Sequence, residues 1–351
     1  MNLSKAGGNL GIIVALILFS AIIIIHELGH FLFAKKHGIG VTEFALGMGP
    51  TLFSLKKGET EYCLKALPFG GLCAMLGEDS DDLSENSFNS KSVWQRISVV
   101  AAGPVFNFIL AYVFALVLVG IVGYDTPVVY KTEVDGPAYE AGIMEGDIIK
   151  EVNGTNIYTF KEFRTAVMMS SDDAPMTIVI ERNGKEMTIA ATPELTSEGY
   201  KLQIYGGKYK KTGVIDTIKY ALLEIRYWIM TTVKSLGMML SGNITTDEVS
   251  GPVGIVTMID DTYQEAVSYG WLDVLLNMMN IGIMLSANLG VMNLLPIPAL
   301  DGGRLVFLVI EALRGKPISP EKEGWVHTAG FVLLMGFMLF ILYNDLIKLF
   351  V

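Results

Sequence analysis

Residues 10 to 34, 97 to 123 and 325 to 344 are long apolar runs with few or no charges, and they constrain this chain more than any other feature. A bilayer core of about 30 Å is crossed by roughly 20 apolar residues wound as a helix, so each run is long enough to span. A fourth run, 274 to 297, contains Asn277, Asn280, Asn288 and Asn293 and ends at Pro296 and Pro298. Uncharged amides can be buried between helices, so it is counted as a span. Residues 215 to 240 are also hydrophobic, but Lys219, Glu224, Arg226 and Lys234 interrupt them. Each charge costs about 2.5 to 3.5 kcal/mol at the centre of a span, which favours an amphipathic helix on the membrane surface.

Composition agrees: 51% of the 351 residues are apolar, high for a soluble chain. A net charge of -10 offers no basic footprint for nucleic acid, which is excluded as a partner; the expected surroundings are a lipid bilayer. Lys35, Lys36, Lys56, Lys57, Lys91 and Arg96 join spans one and two, and Arg304, Arg314, Lys316 and Lys322 join three and four. Both loops are therefore expected on the cytoplasmic side of a cell membrane, with both termini and the region from about 124 to 272 opposite. Cys63 and Cys73, ten apart, read as two reduced thiols. The acidic run from 78 to 85 reads as a solvated loop.

The expected organisation is spans one and two over 1–124, a soluble domain over 125–195, an amphipathic linker helix and extended loop over 196–272, and spans three and four over 273–351. The soluble domain is polar, turn-rich and β-patterned. A short helix near 138–142 leads into the strand that begins Gly146-Asp147-Ile-Ile. A helix is expected over 160–169 and strands over 176–182 and 185–191, the last two joined at Asn183-Gly184. This stretch resembles a bacterial PDZ domain. The resemblance implies an α+β module that takes extended peptides onto a sheet edge, as a selector, or one that only blocks access.

The chemistry sits in the first span as His26-Glu27-Leu28-Gly29-His30. On a helix, residues four apart share a face one turn apart, so both imidazoles can reach one metal with Glu27 beside it. Zinc takes neutral nitrogen donors and leaves a position open for water, whose pKa it lowers to about 7; Glu27 can then take a proton as the water attacks a carbonyl. Three ionisable residues inside an apolar span are costly unless they hold something or line a wet cavity.

A third ligand is needed. Phe33 and Lys36 stand where the longer HExxHxxGxxH pattern would have Gly and His, and His37 lies seven residues, roughly 10 Å of rise, beyond His30. His327 stays open as an alternative. Asp301, in Asn293-Leu-Leu-Pro296-Ile-Pro298-Ala-Leu-Asp301-Gly302-Gly303-Arg304, is preferred, because irregular backbone at membrane depth must line a cavity or be buried in protein. A simple pairing of Asp301 with Arg304 is the competing reading.

With HExxH in span one, a PDZ insert after span two and Asn-x-x-Pro-x-Pro-x-Leu-Asp-Gly ending span three, the chain resembles the site-2 protease family. It is most similar to the bacterial regulator-of-sigma-E protease group, here with a single PDZ domain where many members carry two. The resemblance runs over nearly the whole chain and includes Trp94-Gln-Arg96 and Ala101-Ala-Gly103-Pro104-Val-Phe-Asn107, in which Gly103 and Asn107 are read as helix-packing residues. It implies a polytopic α-helical membrane protein with four transmembrane helices, an inserted PDZ domain and a membrane-associated β-hairpin. In that hairpin Gly47 and Gly49 would clamp the substrate as an added strand, and Asn293 would touch it near the metal. The implied activity is zinc-dependent cleavage of single-span membrane proteins, such as anti-sigma factors or remnant signal peptides, with Glu27 as base and His26, His30 and Asp301 as ligands. A non-catalytic zinc-binding protein or transporter is the main alternative, and it would be expected to carry ionisable residues on several spans.

Overall fold

The computed structural model describes residues 4–78, 80, 82–170, 174–196, 199–242 and 250–350. Asp79 and Asp81 of the acidic run lie outside them, as do residues 243–249 of the expected extended loop.

In chain order the elements are α1 (Ser4–Lys36), β1 (Val41–Lys57), β2 (Thr60–Met75), α2 (Val93–Val122), β3 (Tyr124–Asp125), β4 (Val129–Thr132), α3 (Pro137–Glu140), β5 (Ile148–Val152), β6 (Thr155–Asn156), α4 (Phe160–Met168), β7 (Met176–Arg182), β8 (Lys185–Ala191), β9 (Glu194–Thr196), β10 (Gly199–Lys201), β11 (Ile204–Gly206), β12 (Tyr209–Lys210), α5 (Val214–Leu240), α6 (Pro252–Val267), α7 (Trp271–Leu294), α8 (Asp301–Arg314) and α9 (Pro320–Phe350). Among the described residues, four helices are long and apolar enough to cross a membrane: Leu10–Lys36, Val93–Val122, Trp271–Leu294 and Glu321–Ile347. The chain is a multi-pass membrane protein. Helix α5, with its five charges, is not among the four. The chain forms two compact units, residues 1–114 with 235–351, and residues 115–234.

In the first unit, α1 packs on α6 and α7 around buried Ala15, Ile259, Met278 and Ile281. A second cluster joins the end of α1 to the β1–β2 hairpin, α2 and α8 through Ala34, Val41, Cys73, Val99 and Leu308. Helix α6 occupies part of the stretch expected to be an extended loop. Its start is capped from far along the chain: Asp345 of α9 accepts hydrogen bonds from the N–H groups of Gly251 and Gly254, both at 3.1 Å. These N–H groups have no partner inside the helix, and a carboxylate there also suits the helix dipole.

The hairpin is irregular. Residues 43–46 pair with 71–74 on one edge and lie alongside 61–64 on the other. Gly47 and Gly49, at φ +87° and +84°, make the bend that lets one long strand serve both neighbours. Met48, Leu52, Phe53, Leu55, Leu64 and Leu67 of this hairpin are exposed.

The second unit is β-rich. Its largest sheet has the order β6-β5-β7-β8, and β4 pairs with β11, β3 with β12 and β9 with β10. Strands β7 and β8 occupy the residues expected and turn at Asn183-Gly184, where both φ angles are positive, the geometry favoured in a two-residue hairpin loop. Ile149, Ile178 and Ile180 are fully buried and pack with Phe163 and Val167 of α4. Helix α4 opens with a capping box between Thr159 and Glu162. The strands continue past residue 195 to Lys210, because β11 and β12 return to pair with β4 and β3. The first part of α5 belongs to this unit and is held by Arg226 to Glu162 at 2.7 Å, Thr165 to Tyr227 at 2.9 Å and an ion pair between Lys161 and Glu224.

Candidate metal centre

Helix α1 presents His26 and His30 one turn apart, both buried, with their Nε2 atoms 3.2 Å from each other. Asp301, the first residue of α8, brings Oδ2 to 3.1 Å from Nε2 of His26 and 3.5 Å from Nε2 of His30. The three side chains form a group of donors compatible with one metal ion.

The bend that delivers Asp301 follows from its sequence. Pro296 and Pro298 cannot donate N–H groups and end α7 at Leu294. The chain then folds tightly onto the first turn of α8: a Cβ at Gly302 would stand 2.1 Å from the carbonyl oxygen of Leu295, and one at Gly303 2.4 Å from that of Ile297. The two glycines after Asp301 are therefore required for the approach.

Helix α2 settles the imidazoles. Nδ1 of His30 lies 2.9 Å from the carbonyl oxygen of Val99, which can only accept, so Nδ1 carries a proton and the neutral imidazole has its lone pair on Nε2. Nδ1 of His26 faces the amide of Asn107 at 3.1 Å, and the Oδ1 of that amide is buried without a partner. With the amide turned over, Oδ1 accepts from Nδ1–H of His26, and both imidazoles present bare Nε2 atoms. Two lone pairs and a carboxylate oxygen then face one another in a buried space, and in that arrangement Oδ2 of Asp301 has no hydrogen-bond donor among the described residues. Such a set is satisfied by a shared proton or by a cation between its members, and its nitrogen and oxygen donors fit a divalent metal.

Two glycines let α1 and α2 meet here. A Cβ at Gly29 would lie 2.4 Å from the carbonyl oxygen of Ala102, and one at Gly103 would lie 2.3 Å from Nε2 of His30 and 2.8 Å from Cε1 of His26. Gly103 and Asn107, read from sequence as packing residues, thus line the centre itself. Their four-residue spacing on one helical face, with an amide inside an apolar span, was the available signal.

The remaining candidate residues have separate positions. Glu27 lies against Gly71 of β2, where an added Cβ would meet its Cγ at 2.7 Å and Oε1 at 3.2 Å. Nδ2 of Asn293 is 3.5 Å from Nε2 of His26. Gly47 and Gly49 follow Leu46, which pairs with Gly71, so they begin the bend just past the strand pair that abuts Glu27. His37 bonds Ser98 at 2.8 Å, and His327 accepts the N–H of Ala299 at 2.9 Å; neither belongs to the metal-compatible group. Arg304 is bonded to Glu78. Cys63 and Cys73 are free thiols.

A donor set of this kind within a bundle of apolar helices fits a metal-dependent membrane protein, and the comparisons with known proteins give its class as a metalloprotease. The family model for peptidase family M50 matches residues 14–337, and the chain belongs to that family. The zinc metalloprotease RasP of Bacillus licheniformis is 34% identical over 97% of this chain and 99% of its own length. The protein of the same name from Geobacillus kaustophilus is 32% identical over 97% and 98%. The regulator of sigma-W protease RasP of Bacillus subtilis is 33% identical over 97% and 99%. A solved PDZ domain of an SdrC-like protein from Listeria innocua aligns with 25% of the chain, covering 100% of its own, at 20% identity and a TM-score of 0.22, too slight a likeness to assign a fold.

Proposed function

We propose that this chain is a zinc protease that cuts single-span membrane proteins at membrane depth, with His26, His30 and Asp301 holding the metal and Glu27 as general base. The observation that carries the reading is the convergence of two imidazole Nε2 atoms and a carboxylate oxygen, with Glu27 one residue along the same helix. Zinc, when bound, supplies Lewis acidity that polarises a peptide carbonyl and acidifies water.

Everything else is done by the chain's own residues. Glu27 accepts a proton from the attacking water and returns it to the leaving amine. Helical substrate backbone hides its carbonyls in hydrogen bonds, so the substrate is unwound and bound as a strand. Among the described residues, 71–75 pair only with β1, and Gly71 lies against Glu27, which supports strand addition on that edge. Gly47 and Gly49 shape the bend beyond it, the amide of Asn293 orients the substrate carbonyl, and the exposed apolar residues of the hairpin suit contact with lipid.

Residues 125–195 form a PDZ domain on the extracytoplasmic side, a selector of substrate tails or a block to larger proteins, and the metal lies toward the cytoplasm. The name of the Bacillus subtilis relative supports anti-sigma factors as substrates; remnant signal peptides share the required single span.

Glu27→Gln tests the mechanism. The variant is expected to retain zinc and fold while cleavage of a single-span substrate in detergent falls about 100- to 10,000-fold. Cleavage at the wild-type rate would remove Glu27 from the reaction.

A further inference from the structure

The bend between α7 and α8 carries Asp301, and at Ala299 it holds a conformation that the local sequence does not favour. Pro296 and Pro298 contribute no N–H groups, and Ala299 stands at φ +78°, a conformation that residues with a Cβ rarely hold unaided. The N–H groups of Ile297 and Leu300 bond within the bend, to Leu295 and Ile297. That of Ala299 points away and donates to Nδ1 of His327 on α9, at 2.9 Å.

We infer that His327 and Gly330 of α9 are positioning residues that brace this bend and so set the location of Asp301, an inference that rests on the metal-site reading above. The two are three residues apart and lie on one helical face. His327 supplies the acceptor that the left-handed Ala299 needs. Its ring lies against Phe307 of α8, with centroids 5.5 Å apart, so it touches both the bend and the helix that begins with Asp301.

Because a backbone N–H can only donate, Nδ1 is the acceptor and a neutral ring carries its proton on Nε2, which has no hydrogen-bond partner among the described residues and lies 3.7 Å from Oε1 of Glu323. Gly330 lets α9 approach: a Cβ there would stand 2.4 Å from Cβ and 2.6 Å from the carbonyl oxygen of Pro298. The hydrogen bond and the close contact are independent, and both fall within three residues of Asp301. His327 is thus committed to the bend through the nitrogen that faces it, and acts on the metal only through Asp301.

The test measures zinc affinity by chelator competition on the full-length protein in detergent, with thermal unfolding recorded for each variant. His327→Phe keeps a ring but loses the acceptor, and is expected to weaken zinc binding about 10-fold, the equivalent of roughly one net hydrogen bond. His327→Asn places an amide oxygen near the position of Nδ1 and is expected to stay within about 3-fold of wild type. Ala299→Gly, added to His327→Phe, is expected to recover part of the loss, because glycine holds a positive φ without help. Gly330→Ala is expected to weaken zinc binding with His327 intact, and carries the test if the Phe variant does not fold.

Asp301→Ala separates the two levels. If it loses zinc while His327→Phe and Gly330→Ala bind normally, the brace is wrong and the metal site stands. If Asp301→Ala binds zinc normally, both readings fail. If His327→Asn loses zinc as completely as Asp301→Ala, His327 is a ligand and the brace is overturned.

Discussion

Asp147 in the β-rich unit is 1% exposed, and both of its carboxylate oxygens are satisfied: Oδ1 accepts from Nε of Arg182 at 2.7 Å, and Oδ2 from Nη2 of Arg182 at 2.7 Å and from the N–H of Met144 at 2.8 Å. His26 and His30 in the helical unit are 8% and 7% exposed, yet their Nε2 atoms face Oδ2 of Asp301 with no donor directed at that oxygen. Each unit buries polar groups, and only one of them leaves lone pairs opposed. A saturated buried group needs no further partner, whereas an unsaturated convergent set is a candidate place for a cation. The outer nitrogens of the two imidazoles are still met by Val99 and Asn107, so within this group of side chains the deficit lies at the atoms that face one another.

Substitutions in the two units should therefore fail in different ways. Gly103→Ala should have the largest effect, because its methyl group would overlap His30 Nε2 and His26 Cε1. Zinc affinity is expected to fall by roughly 100-fold, the upper end for disturbed outer-shell contacts, while amide exchange in the β-rich unit stays unchanged. Normal zinc and normal cleavage in that variant would show that α2 does not hold the imidazoles. Asp147→Ala should show the converse. Removing the acceptor of the Arg182 guanidinium and of the Met144 N–H is expected to destabilise the β-rich unit by about 2 kcal/mol, measured as faster hydrogen exchange of β5 and β7 amides in the full-length protein, with zinc content unchanged. Loss of zinc there would break the separation.

The smallest effect concerns pH. Burial pushes the Glu162 carboxyl above its ordinary value of 4.5, despite the opposing influence of nearby N–H groups and Arg226. The folded state then holds a proton more tightly than the unfolded state. The resulting contribution is complete below about pH 4.5 and is lost as pH rises through the folded value, with a slope of at most about 1.4 kcal/mol per pH unit. Glu162→Gln, which preserves the capping pattern at Thr159, should flatten that part of the pH–stability curve of the β-rich unit. An unchanged slope would assign it to another group; Asp125, whose carboxyl is also raised by burial, is the next candidate.

What could be read from the sequence was local. His26, Glu27 and His30 carry their geometry in their spacing, Asn183-Gly184 specifies its turn, and Pro296 and Pro298 mark the broken backbone that delivers Asp301. What escaped depends on partners far along the chain. Val99 meets His30 across 69 residues and Asn107 meets His26 across 81, so neither contact leaves a periodic trace in α2. Helix α6 was hidden for the same reason, since its cap comes from Asp345. His327 reads from the sequence only as an alternative to Asp301, since a lone imidazole at a membrane helix end carries no pattern that names its partner. Its actual contact, a backbone N–H 28 residues away, is set by the bend rather than by any pattern around it.

X-ray absorption at the zinc edge of the purified wild-type protein tests the central claim most directly. The account predicts a shell of nitrogen and oxygen ligands at about 2.0 to 2.2 Å, with outer scattering from two imidazoles and no sulfur. A sulfur shell near 2.3 Å, which would implicate Cys63 or Cys73, or scattering from a single imidazole, would contradict it.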